Sequence, residues 1–172
     1  MNKSKKNLFF LLIGVSLISF SGCFWSNNDQ KKNSDFYLVN VLDKSFFDDC
    51  HIPGSLNISM NNVEKTAASW PKTATIVIYC SNYSCETSGW CCKKLQKAGF
   101  KSVWDYDEGT AGWYQAHQKD PEAYPIIGPG KEKYLTMKNE PFGDSQNTQP
   151  LQVKVISTEK LKEMVDAHKE QE

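Results

Sequence analysis

Cys80 closes the β-branched run Thr75-Ile76-Val77-Ile78-Tyr79, and Cys85 stands five residues on, across the polar stretch Ser81-Asn82-Tyr83-Ser84. A thiol at the carboxyl end of a strand, ahead of a tight loop and a helix, faces the main-chain N–H groups that such a loop turns inward. Those donors, with the positive end of the helix, favour the thiolate over the thiol. Under such conditions a thiol pKa of about 8.5 can fall to about 3.5–7.5, and the sulfur becomes a nucleophile. Cys80 is therefore the candidate reactive residue, and Ser81, Asn82, Tyr83, Ser84, Cys85 and Glu86 form the loop expected to cradle it. The competing reading is a Cys that merely fills core space. Its position at a strand end, not within the strand, argues against that.

The remaining cysteines bound the chemistry. Six are present, at 23, 50, 80, 85, 91 and 92; setting Cys23 aside leaves an odd number, so at least one thiol is unpaired or reacts elsewhere. No C-x-x-C pair and no His-spaced ligand set points to a metal, and no cofactor is implied. Cys91 and Cys92 share a helical face with Ser88 and Leu95 and read as packing; Cys50 and His51 read as structural, as do Trp90, Trp104 and Trp113. The 20 basic side chains, all Lys, balance 20 acidic ones, so nothing resembles a nucleic-acid footprint. Without Arg, no rigid bidentate fork for oxyanions exists.

The elements that must position these groups alternate strand and helix. Phe36–Val41 is a nearly continuous apolar run, as in a strand covered on both faces. A short helical piece at Ser45–Asp49 precedes the turn His51-Ile52-Pro53-Gly54 and a strand at Ser55–Ile58. Asn61–Trp70 has helical character and stops against Pro71. After Thr75–Tyr79 comes a helix at Glu86–Ala98, closed by Gly99, a strand at Ser102–Tyr106 and a short helix at Thr110–His117. Such alternation predicts an α/β fold with a mainly parallel sheet of about five strands and helices on both faces. Residues 118–150 hold five of the seven prolines and read as irregular.

Four segments in this order resemble the rhodanese-like domain, and they cover Phe36 to His117. His51-Ile52-Pro53-Gly54-Ser55 is similar to that family's H-x-P-G-[AS] turn. Val77-Ile78-Tyr79-Cys80 is similar to the strand that delivers its active cysteine. Leu95 to Val103 resembles the helix-to-strand passage that follows, and Glu108-Gly109-Thr110-Ala111-Gly112-Trp113 the G-G-x-x-x-W segment. The resemblance implies a three-layer fold and a thiosulfate sulfurtransferase-like activity. Cys80 would take sulfane sulfur from a small donor, hold it as a persulfide, and pass it to a thiol acceptor. One departure is specific: Cys85 occupies the place where many active members carry a basic residue, and no Lys lies between Tyr79 and Lys93. Attraction for a dianion is therefore expected to be weak. The C-x5-R signature of cysteine phosphatases is also absent, since Glu86 stands at the Arg position. Three roles remain open to Cys85: a resolving thiol that attacks a Cys80 persulfide or sulfenic acid, a space-filling residue, or the partner of another Cys. The alternatives to sulfur transfer are thus a thiol-disulfide protein using Cys80 and Cys85, and a silent rhodanese-like binding module.

The amino end carries its own pattern. Lys3, Lys5 and Lys6 precede a 13-residue apolar run, Leu8–Phe20, shorter than the roughly 20 residues of a bilayer-spanning helix and suited to a secretory signal. Phe20-Ser21-Gly22-Cys23 resembles a bacterial lipobox, which implies acylation at Cys23 and a membrane contact through the lipid. Residues 1–22 are then signal peptide and 23–35 a polar tether. The expected location is the bacterial cell envelope, outside the cytoplasm. Phe24 is not the Asp that retains lipoproteins at the inner membrane in enterobacterial-type sorting, so the outer membrane or cell surface is expected.

Family members usually open with a strand and an amphipathic helix that have no counterpart between Cys23 and Phe36. A copy of that pattern lies at the other end: Leu151–Ile156 alternates as a half-buried edge strand does, then Ser157 or Thr158 suits an N-cap with Glu159 in the first turn. The expectation is a circularly permuted arrangement, with domain residues 36–130, an irregular connection at 131–150 and a completing unit at 151–172 that lies beside the strand Ser102–Tyr106.

Overall fold

β3 (Thr75–Tyr79) runs down the middle of a five-stranded sheet in a computed structural model that describes residues 35–141 and 153–170. The signal-like segment, the tether up to residue 34, Cys23 and residues 142–152 fall outside the described residues. From one edge to the other the strands are β2 (Leu56–Asn57), β1 (Phe36–Asn40), β3, β4 (Ser102–Tyr106) and β5 (Lys154–Val155), and every pairing is parallel. β1 and β4 flank β3, with Asn40 and Tyr106 both in register with Tyr79. The carboxyl ends of the three central strands are therefore level, and Cys80 leaves the sheet at its mouth.

Helices cover both faces, and the parity of β3 shows why its run is apolar throughout. Ile76 and Ile78 pack with Val63 and Ala67 of α2 (Val63–Ala67) and with Cys91, Cys92 and Leu95 of α3 (Thr87–Lys97). Val77 and Tyr79 face the opposite way, onto Trp113 of α4 (Gly109–Lys119) and Leu161 and Val165 of α5 (Thr158–Lys169). All four strand residues are fully buried, as a strand between two helical layers requires. On α3, Ser88, Cys91, Cys92 and Leu95 are the buried residues, the face that the i, i+3, i+4, i+7 spacing predicts. Gly99, at φ +93°, closes that helix, a conformation that costs glycine little.

The carboxyl-terminal strand does take the edge beside β4. β5 (Lys154–Val155) pairs in parallel with Trp104 and Asp105, and Ile156 N–H donates to the Asp105 carbonyl (3.0 Å). Ser157 caps α5, its hydroxyl accepting from Lys160 N–H. The Tyr106 hydroxyl meets Thr158 Oγ1 at 2.6 Å, and the Glu108 carboxylate accepts from Thr158 N–H and Oγ1. This tail is thus knitted into the sheet that carries the cysteines, as the permuted arrangement requires. Of the predicted strand Leu151–Ile156, the described part begins at Val153, and Lys154–Val155 pair in the sheet; the following Ile156 turns into the core while Lys154 and Val155 stay exposed.

Candidate active site

The turn that the sequence singled out at His51–Ser55 braces the end of β3. Buried Tyr79 accepts from Ile52 N–H (3.2 Å), and its hydroxyl meets Ser55 Oγ at 2.7 Å. His51 stacks on Phe47 of α1 (Lys44–Asp49), with ring centroids 3.8 Å apart, and bonds the Phe47 carbonyl through Nδ1. Its ring is spent on the turn, away from Cys80, which agrees with a structural role.

The start of α4 braces the loop from the other side. Thr110 N–H and hydroxyl donate to the Cys80 carbonyl (2.9 and 3.1 Å), and Ala111 N–H donates to the Ser81 carbonyl (2.9 Å). Gly109 is required for this approach: it has φ +61°, and a Cβ would lie 2.6 Å from the Ser81 carbonyl carbon. Within the loop, Asn82 Oδ1 accepts from Ser84 N–H and Ser84 Oγ, while Cys85 N–H donates to the Asn82 carbonyl. Tyr83 N–H donates to Asn139 Oδ1, whose amide in turn reaches the Glu108 carbonyl. Ser81, Asn82, Tyr83, Ser84, Cys85 and Glu86 thus form one hydrogen-bonded loop around a sulfur.

That sulfur is not the one expected. Cys80 is wholly buried, and its thiol donates to the Cys85 carbonyl oxygen at 2.9 Å, with Ser88 Oγ at 3.3 Å. The side-chain bond to Cys85, with burial behind it, pushes the Cys80 thiol far above its ordinary pKa; the Ser88 hydroxyl and then its amide work against this. A carbonyl acceptor needs an S–H to bond, so the site selects the protonated form of Cys80. Cys85 is half-buried and collects the donors: the Cys80 thiol, the Thr87 hydroxyl and N–H, and the Ser81 N–H. Those bonds, the Cys80 bond foremost, lower its pKa to about 5 against the opposing effect of burial. The expectation that the loop amides ring Cys80 is corrected here: the cradle turns toward Cys85. The physical reason is the depth of β3, which leaves Cys80 beneath the loop while Cys85 sits at the α3 N-terminus.

Two polar groups extend the pair inward, and sequence reasoning gave neither a role. Ser88, on the first turn of α3, bonds both Cys80 and the Asp105 side chain. Asp105 is 7% exposed, and its Oδ1 has no hydrogen-bond partner. Burial raises its carboxyl to about 7 despite the Ser88 bond. The signal lay in parity: Asp105 falls with Val103 on the inward face of a strand, where a charged residue is costly.

Around the mouth the charge is negative. Glu86 is exposed and accepts weakly from the Trp90 indole N–H (3.4 Å). Burial, followed by Glu108, Asp107 and Glu159, raises the Tyr83 hydroxyl to about 12. Trp90, expected to pack, is 59% exposed beside the loop, whereas Trp113 is buried and donates to the Pro125 carbonyl. Cys50, Cys91 and Cys92 are buried with no disulfide, in line with packing roles. Among the described residues, no cluster of His, Cys, Asp and Glu is arranged to hold a metal ion, and no helix is long and apolar enough to cross a membrane.

Solved structures similar to this chain include a protein from Bacillus halodurans, 23% identical over 69% of this chain and 78% of its own, with a TM-score of 0.48. A rhodanese with anions from E. coli is 24% identical over 54% of this chain and 98% of its own, with a TM-score of 0.41. A thiosulfate sulfurtransferase from Pseudomonas aeruginosa is 18% identical over 56% of this chain and 17% of its own, with a TM-score of 0.46. No curated protein matches the chain. The sequence profile described as the rhodanese-like domain matches residues 24–116, more than half of the chain, and with the paired cysteines at the mouth of a parallel sheet this places the chain in the rhodanese-like family.

Proposed function

We propose that the domain is an envelope thiol-exchange protein, sulfurtransferase-like in its chemistry, that breaks a sulfur–sulfur bond with Cys85 and closes onto Cys80. The Cys85 thiolate attacks one sulfur of a donor A–S–S–B, forms Cys85–S–S–A and releases B–S⁻. Cys80 then attacks Cys85 Sγ, forms the Cys80–Cys85 disulfide and releases A–S⁻. With a sulfane donor, the first product is the Cys85 persulfide and the second release is hydrosulfide.

One observation carries this reading: the hydrogen-bond polarity of the pair. Cys80 donates to a carbonyl and is held as a thiol, while Cys85 accepts from main-chain and hydroxyl groups. The acidic surroundings of the loop, Glu86 with Asp107, Glu108 and Glu159 near Tyr83, favour an uncharged or cationic donor over thiosulfate.

A second reading keeps the sulfur as a stable persulfide on Cys80. It is favoured by family membership and by the strand-end position of Cys80. Mass spectrometry of the wild type, C80S and C85S, after hydroxyethyl disulfide or thiosulfate, separates the two. An adduct trapped on Cys85 in C80S, with a Cys80–Cys85 disulfide in the wild type, supports thiol exchange. One added sulfur on Cys80 in fully competent C85S supports the persulfide carrier, and no adduct on either leaves a binding module. Envelope anchoring follows from the lipobox-like Cys23, and loss of lipid incorporation in C23S would support it.

A further inference from the structure

Cys80 must lose its proton before it can attack, yet its surroundings hold that proton. The carbonyl of Cys85 accepts the thiol at 2.9 Å, and no solvent reaches the sulfur. The hydroxyl beside the Cys80 sulfur is Ser88 Oγ, 3.3 Å away, and Ser88 is itself buried and bonded to Asp105. The sulfur, the hydroxyl and the carboxylate form one chain beneath the first turn of α3. Gly89 leaves the room for it: a Cβ there would come within 3.0 Å of Asp105 Oδ2.

We propose that Asp105 is the proton acceptor of the closing step, reached through the Ser88 hydroxyl. The inference rests on the reading of Cys80 as the thiol that closes onto Cys85. As Cys80 Sγ attacks Cys85 Sγ, its proton passes to Ser88 Oγ, and the Ser88 proton passes to the Asp105 carboxylate. The bond between Cys85 and the bound sulfur fragment breaks, and its electron pair leaves with the fragment as a thiolate. Cys80 and Cys85 are together oxidised by two electrons, and the small disulfide named above is reduced. Asp105 finishes as a neutral carboxylic acid.

The unpartnered, buried Oδ1 supports the assignment, because an anion with one satisfied oxygen gains much by taking a proton. Burial places the carboxyl at about 7, where donor and acceptor forms are both populated at neutral pH. The charged and titratable groups that face it are Asp107 from the turn after β4, Cys85 from the loop, and Cys91, Cys92 and Lys93 from α3. Lys93 is the one cation in that set and favours the carboxylate from a distance; among the described residues Asp105 makes no salt bridge. Asp105 is on this view a positioning residue that acts through Ser88, while Ser88 touches the reacting sulfur.

The test uses the full chain with C23S, mixed with the neutral probe 4,4′-dithiodipyridine in a stopped-flow instrument. The wild type is expected to release thiopyridone in two phases, attack by Cys85 and then closure by Cys80. Closure should rise with pH to a plateau, with an inflection near the Asp105 value of about 7. In D105N and in S88A, closure should fall by about 10²-fold relative to the first phase, and that inflection should vanish. A purely structural role for Asp105 would leave the inflection in place. S88A, a one-atom deletion, keeps the test decisive if D105N folds poorly. Unchanged closure and an unchanged inflection in either variant overturn the relay and leave the thiol-exchange reading intact. Release of a single equivalent by the wild type, or a first adduct on Cys80, overturns both.

Discussion

The Cys80 thiol donates to the Cys85 carbonyl oxygen across 2.9 Å, so the two cysteines of the loop are joined by a hydrogen bond that needs Cys80 in its protonated form. A side-chain hydrogen bond between the two cysteines, distinct from the bond to the carbonyl, raises Cys80 and lowers Cys85. A nucleophile and a resolving partner are thereby distinguished within five residues of one another.

Alkylation should read this difference directly. Iodoacetamide is expected to modify Cys85 first, with a rate that climbs through an inflection near pH 5 and is level above it. Cys80, Cys50, Cys91 and Cys92 are buried and should stay unmodified until the chain unfolds. Peptide mapping of a brief pulse checks this. Label found on Cys80 ahead of Cys85 would reverse the order of attack.

Gly109 is where the two halves of the site meet. Ala at this position must adopt φ +61° and set its methyl carbon 2.6 Å from the Ser81 backbone. G109A is therefore expected to destabilise the fold by more than about 1 kcal/mol and to slow Cys85 alkylation by loosening the loop. A urea melt matching the wild type would show that the α4 N-terminus gives way without cost.

Much of this was legible in the residues because it followed from periodicity and parity. The run Thr75–Tyr79, the buried α3 face of Ser88, Cys91, Cys92 and Leu95, and the Ser157 cap are all local patterns, and each sits where its pattern placed it. The pairing of β5 with β4 was legible for another reason: the family resemblance places the opening strand beside the last one, and the pattern of that opening unit recurs at the carboxyl end. What stayed hidden was direction. Which of two nearby sulfurs collects the amides depends on how the Ser81–Glu86 backbone turns over three hydrogen-bonded residues, and spacing does not encode it. Asp105 was hidden too, since its meaning comes from Ser88 on another element.

The carboxyl-terminal unit should be as necessary to the fold as the central strands. Leu161 is fully buried against the same cluster as Val77 and Tyr79, so L161A is expected to cost about 2–5 kcal/mol. S157A removes only the cap and should cost about 0.5–2 kcal/mol. Denaturant midpoints measured on both variants test this. If L161A were as mild as S157A, α5 would be an appendage to the sheet and not part of it.

Asp105 makes stability and reactivity pull in opposite directions. An unfolded Asp titrates near about 3.9, whereas burial holds the native group at about 7. Between those values the native chain keeps a proton that the unfolded chain has lost, so stability falls as pH rises through the window and is level above it. The loss is on the order of a few kcal/mol. Asp107, which burial and Glu108 raise to about 6, adds a slope of the same sign, and the difference between wild type and variant removes it. D105N cannot ionise, so it should match the wild type near pH 4 and exceed it above pH 7, although its closing step is slower. Urea denaturation at about pH 4.5 and about pH 8 measures both ends. A stability gap that is widest at the acid end would mean that the carboxylate is welcome in the core, and Asp105 would then have no reason to take a proton from Ser88.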